Sequence, residues 1–160
     1  MTEYYFTEKG YQKLKSEIDR LEKFIKQDIS KEIGAALEHG DLRENAEYAA
    51  AKDKQTMYMA KLGQLQERFA KARVVRREDL APGVVTLGKR VKIKDAESGD
   101  EREYTILGEG ETDIDKGIIS YMSPLAKALM SHKQGDVVDV QLPRGLKKYE
   151  VLEIHFFEDD

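Results

Sequence analysis

Apolar residues recur at every third or fourth position near the start of the chain: Tyr11, Leu14, Ile18, Leu21, Ile25, Ile29, Ile33 and Leu37. The steps between them are 3, 4, 3, 4 and then a series of fours. This spacing predicts a helix from Thr7 to Glu38 with one apolar stripe. Its opening steps are those of a coiled-coil seam, and the later fours are expected to carry the stripe around the helix. Thr7 is a candidate N-cap, although Gly10 weakens the first turn. Gly40 is a natural left-handed residue to end the helix.

A second run follows at once: Tyr48, Ala51, Gln55, Tyr58, Leu62, Leu65, Phe69 and Ala72, with alternating steps of 3 and 4. So little chain separates the two runs that the helices must turn back on each other as an antiparallel hairpin. Matching the stripes sets Leu14 near Phe69, Leu21 near Leu62 and Ile25 near Tyr58. Arms of about 30 residues make a rod on the order of 45 Å long. Gly34 and Gly63, inside the helices, are compatible with close approach, with bending or with simple tolerance.

The period changes at Leu80-Ala81-Pro82-Gly83, a linker by composition and a candidate hinge. Beyond it, Val91 and Ile93, then Tyr104 and Ile106, alternate as half-buried strands around a Ser98-Gly99-Asp100 turn. Ile118-Ile119, Val137–Leu142 and Tyr149–Phe156 are further strands, and Ser123-Pro124 opens one short helix. The expected class is α+β: a hairpin domain over residues 1–79 with its tip at about 38–48, then a small antiparallel sheet domain with one helix over 80–160.

Composition narrows the function. The formal net charge of −4 and pI of about 5.5 argue against a protein that binds nucleic acid by bulk attraction. The balance is uneven, however: residues 1–80 hold 16 Lys/Arg against 15 Asp/Glu, and residues 81–160 hold 11 against 16. The absence of Cys excludes disulfides and thiolate metal sites. With neither an apolar leader nor a membrane-length run, the protein is expected to be soluble and cytoplasmic.

The chemistry concentrates at the predicted tip. Residues 38–48 carry four acids against one base, Arg43, whereas residues 49–80 carry eight bases against four acids. Asp41, Glu44 and Glu47 are spaced to share one face of the second helix's first turns. Asp41-Leu42-Arg43-Glu44 fits a capping box, with Asp41 as N-cap and Glu44 reaching back. Two carboxylates on an exposed tip also suit a shared Mg²⁺, provided another macromolecule completes the coordination shell. Both roles are compatible with the spacing, and they can coexist.

The string Glu38-His39-Gly40-Asp41-Leu42-Arg43-Glu44-Asn45-Ala46-Glu47-Tyr48 at a hairpin bend resembles the tip of the bacterial Gre transcript cleavage factors. Val91-Lys92-Ile93, Gly117-Ile118-Ile119-Ser120, Ser123-Pro124-Leu125-Ala126-Lys127-Ala128-Leu129 and Gly135-Asp136 agree in order, so the resemblance spans nearly the whole chain. The moderate basic content of the second arm looks more like the GreA branch than the GreB branch. The resemblance implies an FKBP-like C-terminal domain that docks at the rim of the RNA polymerase secondary channel. It further implies a hairpin that enters the channel, where the polymerase cleaves backtracked RNA by two-metal chemistry. On this pattern Asp41 and Glu44 assist Mg²⁺ held in the polymerase active site, with no cofactor bound by the factor alone. Arg43, Asn45, Glu47 and Tyr48 support the tip, and Lys52 contacts the extruded RNA. The factor would be a monomer, not itself an enzyme, with polymerase and nascent RNA as partners. The competing expectation is an adaptor, or a channel-occupying inhibitor, whose tip acids are only caps.

Overall fold

The computed structural model describes residues 3–40 and 45–157; Asp41, Arg43 and Glu44 lie outside the described residues. The chain divides into two compact units, Gln12–Lys71 on one hand and the residues up to Tyr11 with those from Ala72 onward on the other. The contacts thus group the chain otherwise than a single cut at 79/80 would. The cause is a short parallel pair, β1 (Tyr4–Phe6) with β2 (Ala72–Val74). It joins the N-terminus to the chain just after the second arm, and Phe6 is buried there.

The helical unit is an antiparallel hairpin. Its first arm comprises α1 (Glu8–Phe24), a π-helical turn (Ile25–Ile29) and α2 (Ser30–Glu38); its second is α3 (Ala46–Ala70). Phe24 packs edge-on against Tyr58 with ring centroids 5.1 Å apart, Gln66 donates to Glu22, and Lys54 pairs with Glu32. The Phe24–Tyr58 contact lies one residue from the expected pairing of Ile25 with Tyr58.

The π-helical turn explains the run of fours. A regular 3-4 alternation after Ile25 would place Asp28 in the seam. One extra residue in the turn brings Ile29 there instead, fully buried, and leaves Asp28 exposed. The seam then continues through Ile33 to buried Ala36, whereas Leu37, expected in the stripe, is 46% exposed. The stripe is therefore corrected by the backbone and does not wander around the helix.

Three helical glycines separate into two kinds. A Cβ on Gly34 or Gly63 would meet nothing within 4 Å, so these two are merely tolerated. A Cβ on Gly10 would lie 2.2 Å from the carboxyl carbon of Glu111. That carboxylate accepts from the backbone N–H of Thr7 (3.5 Å) and of Gly108 (3.1 Å), and also from the Thr7 hydroxyl. Thr7 in turn caps α1, its Oγ1 accepting from Gly10 N at 3.1 Å. Ala at Gly34 or Gly63 should stabilise the protein by about 0.5–1 kcal/mol. Ala at Gly10 should cost about 1–2 kcal/mol, because losing charge-assisted bonds outweighs a propensity gain of about 1 kcal/mol. Urea unfolding of the three variants checks the opposite signs.

The second unit holds a five-stranded sheet in the order β5-β4-β3-β7-β6. Its strands are β3 (Lys89–Asp95), β4 (Glu101–Leu107), β5 (Ile118–Ser120), β6 (Val137–Leu142) and β7 (Gly145–Phe156). The sheet is mixed, not wholly antiparallel as expected: after the connection 108–117, β5 runs parallel to β4 and pairs with its last three residues, Thr105 to Leu107. The helix α4 (Pro124–Leu129) is capped by Ser123, whose hydroxyl accepts from Ala126 N, and packs on β6. Val85, Val91, Ile93, Ile106, Ala126, Leu129, Val138, Val140 and Val151 form the core. The fold class is α+β.

The Leu80–Gly88 segment is held within this unit. Lys89 is buried; its Nζ donates to the Ala81 carbonyl at 2.8 Å and lies 3.9 Å from the centroid of the Phe156 ring. Burial pushes the Lys89 ammonium below its ordinary pKa. Val85 N–H bonds the His132 carbonyl, and Ser131 N–H bonds that of Val85.

Asp95 organises the β3–β4 turn. Its carboxylate accepts from Glu97 N (2.9 Å), Lys147 Nζ (3.2 Å) and Ser98 N (3.3 Å), and the Glu97 N–H above all lowers its pKa. A lowered carboxylate contributes stability that is complete above the unfolded value of about 3.9 and is lost as pH falls through the lower folded value. Acid unfolding of Asp95→Asn should therefore be less steep below about pH 4 than that of the wild type, as followed by circular dichroism.

Candidate functional site

The bend between the arms is built from both sides. Gly40, at φ +138°, follows the end of α2 in a conformation that a side chain would strain. Across the bend, Asn45 is extended (φ −87°, ψ 96°) and caps α3, its Oδ1 accepting from Tyr48 N at 3.0 Å. Its Nδ2 donates to the carbonyl of Ala36 in the last turn of α2. The cap of α3 is therefore Asn45, not Asp41, which places the helix start later than the capping box predicts. The expected roles of Asp41, Glu44 and Arg43 fall on residues outside those described.

The remaining predicted residues can be placed. Glu47 is exposed in the first turn of α3, and Tyr48 is half-buried behind the Asn45 cap. Lys52 is exposed one turn further on, its ammonium donating to the neutral Gln55 at 3.1 Å. Lys54 is engaged by Glu32 at 2.8 Å, and its pKa is raised chiefly by that bond. Just behind the bend, Ala35, Ala36, Ala50 and Ala51 leave a cleft of about 390 Å³, bounded by Glu32, His39, Glu47 and Lys54. The stripes place only Ala51 of these four in the seam, so the gap was not legible from the spacing. Their size was the available signal.

Among the described residues, no group of three or more His, Asp or Glu side chains could hold a metal ion. The described tip residues thus offer single carboxylates and amides, not a closed coordination shell. Nor, among them, is any helix long and apolar enough to cross a membrane.

An α+β protein with a capped, acid-bearing helical hairpin and a separate sheet unit is the class these features define. The family follows from comparison with known proteins. Residues 4–74 match the family model "Transcription elongation factor, N-terminal", and residues 80–156 match "Transcription elongation factor, GreA/GreB, C-term". The chain belongs to the GreA/GreB transcription elongation factor family. It is 42% identical over 149 residues to transcription elongation factor GreA of Helicobacter pylori (strain Shi470), covering 93% of this chain and 91% of the relative. It is 43% identical over 148 residues to transcription elongation factor GreA of Nautilia profundicola, covering 92% and 91%. The crystal structure of GreA factor homolog 1 of Thermus thermophilus is 27% identical, covering 96% of this chain and 99% of that one. At a TM-score of 0.44, that likeness adds nothing to the fold assignment.

Proposed function

We propose that this protein is a transcription elongation factor that inserts its hairpin tip into the secondary channel of bacterial RNA polymerase. There it stimulates the polymerase's own cleavage of backtracked RNA 3′ ends and rescues arrested complexes. The observation that carries this reading is the antiparallel hairpin, in a GreA/GreB chain, whose capped bend bears the Glu38–Tyr48 string. The 25 residues of α3 span about 37 Å, long and narrow enough to reach a buried centre.

The factor is an accessory and not itself a nuclease. Asp41 and Glu44 would supply carboxylate oxygens to a Mg²⁺ of the polymerase active site, which stabilises the attacking and leaving oxygens of the hydrolysis. Arg43, Asn45, Glu47 and Tyr48 support the tip. Lys52, bonded only to a neutral amide among the described residues, is available to a phosphate of the extruded RNA. The nearby basic residues steer the strand without making the protein as a whole basic.

The test uses stalled, backtracked polymerase complexes with end-labelled RNA. Addition of the protein should release 3′ fragments much faster than polymerase alone, and the protein without polymerase should leave the RNA intact. Unchanged cleavage with saturating factor, or robust cleavage without polymerase, would overturn the proposal.

A further inference from the structure

We infer that Asn45 is a positioning residue of the tip, which holds the two arms at a fixed spacing across the bend. This rests on the function proposed above. The warrant is a shared acceptor: the Ala36 carbonyl receives His39 N–H at 3.2 Å from its own arm and Asn45 Nδ2 from the other. The same carboxamide accepts from Tyr48 N–H through Oδ1 at 3.0 Å. One planar group therefore links the end of α2 to the start of α3, and both flanks of the bend are tied to one backbone oxygen. The last carbonyls of a helix lack their usual i+4 donor, and the Asn45 amide adds a second bond at Ala36 to the one from His39.

A cap alone does not require this residue, because Ser, Asp and Asn cap about equally well. What Asn adds is an N–H donor in the same plane as the capping oxygen. Packing at this height comes from small side chains, Ala36 and Ala51 being buried beside an open cleft. The Glu32–Lys54 ion pair is part-exposed, at 47% and 37%, and such pairs hold geometry weakly. Among the described residues, the Asn45 bond ties the end of one arm directly to the start of the other. A small displacement of a group that assists chemistry costs rate more than it costs binding.

The experiment compares wild type with Asn45→Ser, which keeps the cap and loses the bond to Ala36. Asn45→Asp is the second variant; it keeps the cap and sets a carboxylate against that carbonyl. Helix content, thermal melting, the half-saturating factor concentration and the maximal cleavage rate are measured for full-length protein on backtracked complexes. For Asn45→Ser, half-saturation should stay within about twofold while the maximal rate falls by about tenfold or more. Asn45→Asp should also lose maximal rate. An unchanged maximal rate in Asn45→Ser would sink the inference. So would a rate that falls only in step with melting and half-saturation, since Asn45 would then be merely structural. A wild type that leaves the RNA intact would instead overturn the proposed function itself, and the role of Asn45 with it.

Discussion

The double variant Asp41→Asn/Glu44→Gln is expected to bind backtracked RNA polymerase as the wild type does and to lose cleavage stimulation by about 100-fold or more. The figure follows from charge: metal-assisted stabilisation of a phosphoryl transition state is worth several kcal/mol, and each 1.4 kcal/mol or so is tenfold in rate. Asn and Gln match the shape of the acids and remove only their negative charge. The cap of the second arm does not rest on that charge, because it is Asn45, whose bonds go to Tyr48 N and the Ala36 carbonyl. A competition assay for polymerase binding, run beside the cleavage assay, separates docking from chemistry. If variant and wild type cleave alike, the acids are structural and the protein is an adaptor or channel occupant.

The second large effect concerns stability. Ile29→Ala should destabilise the hairpin by about 2–5 kcal/mol, the range for truncating a buried aliphatic side chain. Ile29 is fully buried at the end of the π-helical turn, so its loss leaves a cavity in the seam. Leu37→Ala is the internal control. A continuous stripe of fours assigns both residues to the seam, but Leu37 is 46% exposed and its truncation should change stability by no more than about 0.5 kcal/mol. Urea unfolding followed by far-ultraviolet circular dichroism measures both. Equal costs at the two positions would mean that the first arm is a regular helix in solution.

Much of this follows from local pattern. Two periodic runs with Gly40 between them can only fold back, because each stripe needs an apolar partner and the chain between is short. The alternation at Val91 and Ile93, the Ser98-Gly99-Asp100 turn and the Ser123-Pro124 helix start are likewise local signals, and they reappear as β3, the β3–β4 turn and α4. The tip string, with the later segments that follow it in order, sufficed for the family.

What the sequence could not determine depends on partners distant along the chain. Thr7 and Glu111 are 104 residues apart, so nothing local reveals that Gly10 leaves room for a carboxylate. The pairing of β1 with β2, and the parallel placement of β5 beside β4, are choices among edges that alternation alone leaves equal. The start of α3 was not legible for a related reason: Asp41 and Asn45 are both good caps by type, and the bond from Asn45 Nδ2 to the Ala36 carbonyl of the other arm is a tertiary contact. The π-helical turn lies between these extremes. The run of fours announced a misfit, but its resolution, an extra residue in the backbone that buries Ile29 and spares Asp28, came from packing against the opposite arm. Sequence alone thus determined the two periods, the hairpin and the chemical character of its tip, because these arise between near neighbours. Tertiary structure decided the cap, the register and the unit boundaries, because each is a competition between local options that only a distant contact can resolve.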